Sequence, residues 1–293
     1  MLGAIIGDIV GSTYEFCNIK TKEFPLFPEG SNYTDDSILT FATADWLLHG
    51  GDIAHLYSNY AAKNHCPMGG YGGMFIRWVA RSQTTGDYRP YNSCGNGSAM
   101  RVSPVGWAFN TKEEVLHHAK LSAECTHNHP EGIKGAQATA LCIFMARNGA
   151  SKDEIRKAIE SEFHYDLSLS IDEIRPRYSW GGLDDAGNGG TCQGSVPQAI
   201  RAFLDGTDFE DCIRNAISIG GDSDTIGCIT GSIAEAYYGI PQDIREKAMG
   251  YLPTEFQDLV TEFEAKYSTN NDKSHSLFHT FRQFFLKIRK QNT

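Results

Sequence analysis

Two short acidic clusters, Thr34-Asp35-Asp36-Ser37 and Gly220-Gly221-Asp222-Ser223-Asp224-Thr225, stand far apart in the chain, each opening an apolar run with helical spacing. Carboxylates packed this tightly repel one another, and they cost desolvation energy if buried without a partner. Neither cluster contains a Lys or Arg. A fold that brings the two together therefore calls for another positive partner, and a hard divalent cation suits groups so rich in oxygen. In a regular helix Asp35 and Asp36 would point roughly 100° apart, and Asp222 and Asp224 would diverge further. Convergence on one point thus requires an irregular loop-to-helix junction, which Gly220 and Gly221 permit. The competing account is helix capping, since Asp and Thr satisfy free amides at helix starts and complement the dipole. Spacing alone leaves both open.

The chain of 293 residues is long enough to bury a substantial core, and 41% hydrophobic with 21% charged residues is ordinary for a globular protein. A formal net charge of -10 argues against a general binder of nucleic acid or anionic membrane. The eight cysteines show no C-x-x-C spacing, so reduced and mostly buried thiols are expected. The apolar start of the chain carries Asp8 and no basic leader, which makes a poor signal peptide. With no run long enough to span a bilayer, a soluble cytoplasmic protein is expected.

Helical patterns dominate. They cover 38–48, 111–125, 133–148, 151–163, 196–204, 209–217 and 224–238. Thr111 with Glu114 and Ser151 with Glu154 match the capping box, and Gly149 and Gly239 read as stops. Alternating strand patterns are scarce, so the expectation is an all-α domain over 1–293 with no internal boundary. Gly3, Gly7 and Gly11 recur at four-residue intervals, and Gly227, Gly231 and Ser232 give the 224–238 helix a small face. Both patterns predict close helix packing.

Gly-rich loops fall at 68–73, 93–99 and 180–194. In the last, Asp184, Asp185 and Asn188 could bind a cation, but a surface loop is the plainer reading. Gly95-Asn96-Gly97-Ser98-Ala99-Met100-Arg101 combines flexible amides with a terminal cation, a pattern able to cradle phosphate. It is also a routine turn signal. Thr126-His127-Asn128-His129 lacks partners at zinc spacing, so hydrogen-bonding histidines are expected there. Past residue 251 no motif appears, and Phe278, Phe281, Phe285 and Ile288 form an apolar helical stripe with Arg282, Lys287, Arg289 and Lys290 solvated.

Taken in order, GDIVGSTYE, TDDS, GNGSAMR, THNHPEG and GGDSDTIG resemble the ADP-ribosylglycohydrolase family, most closely its compact bacterial branch. The resemblance covers most of the chain. It implies an all-α orthogonal multi-helix bundle with a central metal cleft and a hydrolase that cuts ADP-ribose from an acceptor, either a protein side chain or a small molecule. It implies two Mg²⁺ or Mn²⁺ ions held by Thr34, Asp35, Asp36, Asp222, Asp224 and Thr225. Glu15 would be the catalytic glutamate, with Asp35 and Asp36 assisting in proton transfer. Gly95, Asn96, Gly97, Ser98, Met100, Arg101 and His127 would receive the diphosphate and ribose. Four aspartates balance the charge of two divalent ions, which accounts for the clusters. The partners implied are ADP-ribosylated substrate and ADP-ribose product, with no membrane; the net charge disfavours nucleic acid, and a monomer is the default. Ser37 departs from the Thr common in the family, and residues 180–194 look longer than in relatives. A catalytically silent ADP-ribose-binding or toxin-neutralising protein on the same scaffold, and a metal phosphoesterase, are the rival readings.

Overall fold

A computed structural model describes residues 1–267, and the apolar stripe at 278–288 lies outside them. The first half contains α1 (Leu2–Gly11), α2 (Asp35–His49), α3 (Ile53–Lys63), α4 (Gly73–Thr85), α5 (Gly97–Met100), α6 (Ser103–Ala108) and α7 (Lys112–Glu124). Next come α8 (Pro130–Arg147), α9 (Lys152–Phe163), α10 (Ile171–Ile174), α11 (Cys192–Asp205), α12 (Phe209–Ser218), α13 (Ser223–Tyr238), α14 (Gln242–Met249) and α15 (Thr254–Tyr267). The described strands are the two-residue pair β1 (Tyr178–Ser179) and β2 (Gly182–Leu183). The protein is all-α, as its periodicity predicts.

Helices α2, α8 and α11 begin three or four residues earlier than the sequence pattern suggests. His129 caps α8 through Nδ1, which accepts from the Glu131 amide, and Pro130 takes the first helical position, where its missing N–H costs nothing. Helix α11 starts at Cys192 and carries Pro197 in its second turn. Elsewhere the caps fall where the sequence places them: Thr111 accepts from the Glu114 amide, and Ser151 with Glu154 forms a complete capping box. Four of the eight thiols are buried, while Cys17 and Cys66 are exposed.

The small-residue stripes of α1 and α13 meet each other. Gly3 faces Gly231, Gly7 faces Gly227, and Gly11 lies against Ser223 and Asp224, so the helices run antiparallel with backbones in contact. At its start α1 is tied down by the Gly3 amide donating to Glu235. A Cβ built on Gly7 would stand 1.9 Å from the Gly227 carbonyl oxygen. Gly7→Val is therefore expected to destabilise the protein by about 3 kcal/mol or more in chemical denaturation. Gly72→Ala is the control, because its Cβ meets nothing within 4 Å; it should change stability by less than about 0.5 kcal/mol.

This glycine contact positions the functional elements. Because Gly11 abuts the first residues of α13, the turn that leaves α1 toward Glu15 is delivered beside Asp222 and Asp224. Helix α13 is buried along nearly all its length, packed by α1, α8, α11 and α12.

Candidate metal centre and substrate cleft

Asp8, in the middle of α1, is fully buried and organises the first acidic cluster. Its carboxylate accepts the Thr34 amide at 2.9 Å, the Thr34 hydroxyl at 2.7 Å, the Ser37 amide at 3.1 Å and the Ser37 hydroxyl. Thr34 in turn accepts from the Asp36 amide at 3.2 Å as the N-cap of α2. Capping and clustering thus coexist. Burial pushes Asp8 up to about 6 despite those four donors.

The second cluster sits in a turn where Gly220 and Gly221 both have positive φ, 72° and 73°, a conformation that glycine adopts without strain. Asn18 clamps this turn, accepting the Gly221 amide and donating to the Gly221 and Glu15 carbonyls. Carboxylate oxygens of Glu15, Asp222 and Asp224 lie within 4.8 Å of one another. Asp36 is buried beside them and Asp35 is partly exposed; both line the same cleft. Burial first, then the Asp222 and Asp8 charges, push Glu15 up to about 7. Burial and neighbouring carboxylates likewise raise Asp35, Asp36 and Asp224 well above the usual range.

Two oxygens of this group, Glu15 Oε2 and Asp36 Oδ1, are buried without any hydrogen-bond partner. Such orphans cost energy unless something meets them. An all-oxygen donor set with unmet lone pairs fits a hard divalent cation such as Mg²⁺ or Mn²⁺ and suits zinc poorly.

The cleft has a volume of about 380 Å³. Its lining includes Gly95, Asn96, Gly97, Met100, Arg101, His127 and Thr225, together with the carboxylates. The Asn96 side chain donates to Asp222 Oδ2 at 2.7 Å, fixing that carboxylate. His127 Nε2 lies behind Gly95 and Gly97, whose missing side chains leave it room; a Cβ on Gly97 would stand 3.1 Å from that nitrogen. Burial, with Arg101 adding to it, drops the His127 pKa well below its ordinary value, so the ring is neutral. The Thr225 amide donates to Asp224 Oδ1 at 2.9 Å.

Thr34 and Ser98 face elsewhere, and Arg101 is held from behind while it lines the cleft. Thr34 is fully buried and stands outside the cleft lining, its hydroxyl directed at Asp8. Ser98 donates to the Gly132 carbonyl at 2.7 Å, away from the lining. The Gly95–Arg101 segment is not an open loop but contains the helical turn α5, which turns Arg101 inward. Its Nη2 donates to the Ser122 carbonyl at 3.0 Å and to Thr126 Oγ1 at 2.7 Å, while the guanidinium rests 3.9 Å from the Tyr57 ring centre. In the 180–194 loop, Asp184 pairs with Arg177 and Asp185 accepts from Ser179, so these oxygens already have partners.

Three contributors were not singled out from sequence. Asp8 reads in sequence as a charge in an apolar segment, and its flanking glycines are the signal of its buried position. Asn18 carries no local signal at all. Trp180 belongs to the segment expected to be a surface loop, yet its Nε1 donates to the Glu15 carbonyl at 2.8 Å and its ring stacks on Phe16 at 5.9 Å.

Comparison with known proteins gives the family of the chain. The family model described as ADP-ribosylglycohydrolase matches residues 1–273. Human ADP-ribosylhydrolase ARH3 is 29% identical, with 87% of this chain and 89% of that protein covered. ADP-ribosylarginine hydrolase Tri1 of Pseudomonas putida (strain GB-1) is 23% identical, over 82% of this chain and 70% of that protein. A solved structure described as an ADP-ribosylglycohydrolase-related protein complex superposes with a TM-score of 0.66 at 26% identity, covering 90% of this chain and 95% of the other. Among the described residues no helix is long and apolar enough to cross a membrane. With a matching fold and a family model that spans nearly its whole length, the chain is a member of the ADP-ribosylglycohydrolase family.

Proposed function

We propose that this protein is a divalent-metal-dependent hydrolase that cuts the bond between the anomeric carbon of ADP-ribose and an acceptor, reversing ADP-ribosylation of a protein side chain or small molecule. One observation carries the reading: Glu15, Asp222 and Asp224 converge within 4.8 Å on the floor of a cleft whose wall is the Gly95–Gly97 segment and His127. The names of the relatives add support. Asp35, Asp36, Asp222, Asp224 and Thr225 would hold two Mg²⁺ or Mn²⁺ ions, with Thr34 behind them tying Asp8 to the first turn of α2. When bound, the ions supply Lewis acidity toward ribose hydroxyls and water.

The chain does the rest. Asn96 holds Asp222 in one orientation, and Asp8 holds Thr34 and the first turn of α2. Glu15, whose Oε2 is free of partners, takes up the proton released as water attacks, with Asp35 and Asp36 beside it. Neutral His127, with Gly95, Asn96, Gly97 and Met100, receives the ribose and diphosphate; Ser98 and Arg101 support that wall from behind. Trp180, which lines the same cleft beside Glu15, would face the acceptor.

The test is product analysis on a panel of defined ADP-ribosylated substrates with Mg²⁺ or Mn²⁺. Release of intact ADP-ribose, abolished by EDTA, is the expected result. AMP with ribose phosphate would make the protein a phosphoesterase. Tight ADP-ribose binding without turnover of any substrate would make it a silent binding protein.

A further inference from the structure

Glu15 stands past the end of α1, where no helix fixes its backbone. Nothing hydrogen-bonds to its buried Oε2 among the described residues, so its backbone and its walls decide where the carboxylate sits. Both lone pairs of the Glu15 carbonyl are taken by side chains. Asn18 Nδ2 donates to it at 2.9 Å and Trp180 Nε1 at 2.8 Å. Asn18 belongs to the same turn. Trp180 is distant in sequence and, among the described residues, is the side chain that ties the Glu15 backbone to another element. On the cleft side Gly69 closes in, since a Cβ there would stand 2.7 Å from Glu15 Oε2.

Trp180 is itself braced. It sits at the tip between β1 and β2, where the Asn188 amide donates to the Gly181 carbonyl at 3.0 Å. Gly189 packs against the Trp180 carbonyl so tightly that a Cβ there would stand 2.3 Å from that oxygen. Lys20 Nζ donates to both the Tyr178 and the Ile219 carbonyls, joining this hairpin to the turn that carries Asp222. The indole ring stacks on Phe16 at an interplanar angle of 10°. Phe16 is 69% exposed and Trp180 41%. Rings left this open bury little area, so packing alone gives the pair little stability. Their geometry instead bears on the residue between them and the cleft, which is Glu15.

We propose that Trp180 is a positioning residue for Glu15: its indole N–H and its ring on Phe16 keep the turn after α1 seated, with the Glu15 carboxylate beside Asp222 and Asp224. This role rests on the reading of Glu15 as the proton acceptor of a hydrolase. Kinetics on an ADP-ribosylated substrate that wild type turns over, and crystals of the full chain grown in EDTA, test it. Trp180→Phe keeps the ring and loses the N–H. It should lower kcat by about 10-fold and leave KM within about twofold, because a displaced catalytic group costs rate rather than binding. Trp180→Ala loses both contacts and should approach the loss of about 100-fold or more expected for Glu15→Gln. In a Glu15→Gln background, Trp180→Phe should cost less than about twofold, since nothing is left to position. A ring that only bound the acceptor would raise KM and keep its full effect in that background, which overturns the proposal. The crystals need no turnover: the Glu15 carboxylate should leave Asp222 and Asp224 in Trp180→Ala and stay beside them in wild type. A carboxylate that stays in both also overturns the proposal. Wild-type protein inactive on every substrate would end the hydrolase reading, and the crystals would still decide whether Trp180 places Glu15.

Discussion

Asp224→Asn is expected to make the metal-free protein more stable and the enzyme nearly inactive. Burial dominates the raised pKa of Asp224, and the charges of Asp222, Asp36, Glu15 and Asp8 raise it further. Removing one charge from such a group relieves repulsion and desolvation together. Asn has almost the same shape, and its Oδ1 still accepts the Thr225 amide that now donates to Asp224 at 2.9 Å. At pH 8 in EDTA a gain of about 1–2 kcal/mol is expected, measured by urea denaturation. Activity should move the other way. Changing groups that merely support metal ligands already costs about 10–100-fold, so loss of a ligand should lower kcat/KM by at least about 100-fold. Undiminished turnover would remove Asp224 from the metal centre. A loss of stability in EDTA would contradict the electrostatic account of the cluster. Opposite signs in one variant separate this role from simple structural damage, which would lower both.

Much of this site was legible in the chain because its signals are local. Thr34-Asp35-Asp36 and Asp222-Ser223-Asp224 are excess acid at helix starts, and the cap at Thr111 and the capping box at Ser151 each lie within four residues. The stripes of glycine on α1 and α13 were legible as close-packing faces, but not as faces packed on each other. That pairing is what carries Glu15 to Asp222. Asp8 and Asn18 act on residues distant in sequence, so no spacing rule reveals them. Ser98 shows the reverse failure, since it is turned to the Gly132 carbonyl while Arg101 lines the cleft. Read as a loop, every residue of 95–101 is available to a ligand; as a helical turn, the segment must present some of them to the core. At α8 the helix starts three residues before the apolar pattern because Pro130 fits the first turn, where its missing N–H costs nothing.

Without divalent cations, the melting temperature should fall as pH rises from 5 to 8, opposite to the acid sensitivity of most proteins. Glu15 is raised from 4.5 to about 7 and Asp8 from 3.8 to about 6, both chiefly by burial. A carboxyl whose folded pKa lies above its unfolded one binds more protons when folded. Its stabilising contribution is therefore complete below the unfolded pKa and disappears as pH rises through the folded pKa. For these two groups the loss runs from about pH 4 to about pH 7, and the higher shifts of Asp35, Asp36 and Asp224 carry it further. Exposed pairs such as Asp87 with Arg89 and Asp184 with Arg177 act in the other sense at pH values below this window, and buried neutral His127 offsets part of the fall below its ordinary value of 6.5, so the net loss is steepest between pH 6.5 and 8. One pKa unit is worth about 1.4 kcal/mol; allowing for mutual coupling, a loss on the order of 3 kcal/mol is expected, or roughly 5–10 °C for a chain of this size. Mg²⁺ or Mn²⁺ should reverse it, since a cation binds the ionised carboxylates of the folded state and must displace protons to do so at low pH. Thermal shift measured at pH 5, 6, 7 and 8, with EDTA and with millimolar Mg²⁺, should show an ion-induced gain that grows with pH. A flat profile in EDTA, or an equal gain at pH 5 and pH 8, would mean that the clustered carboxylates are not the charge the metal answers.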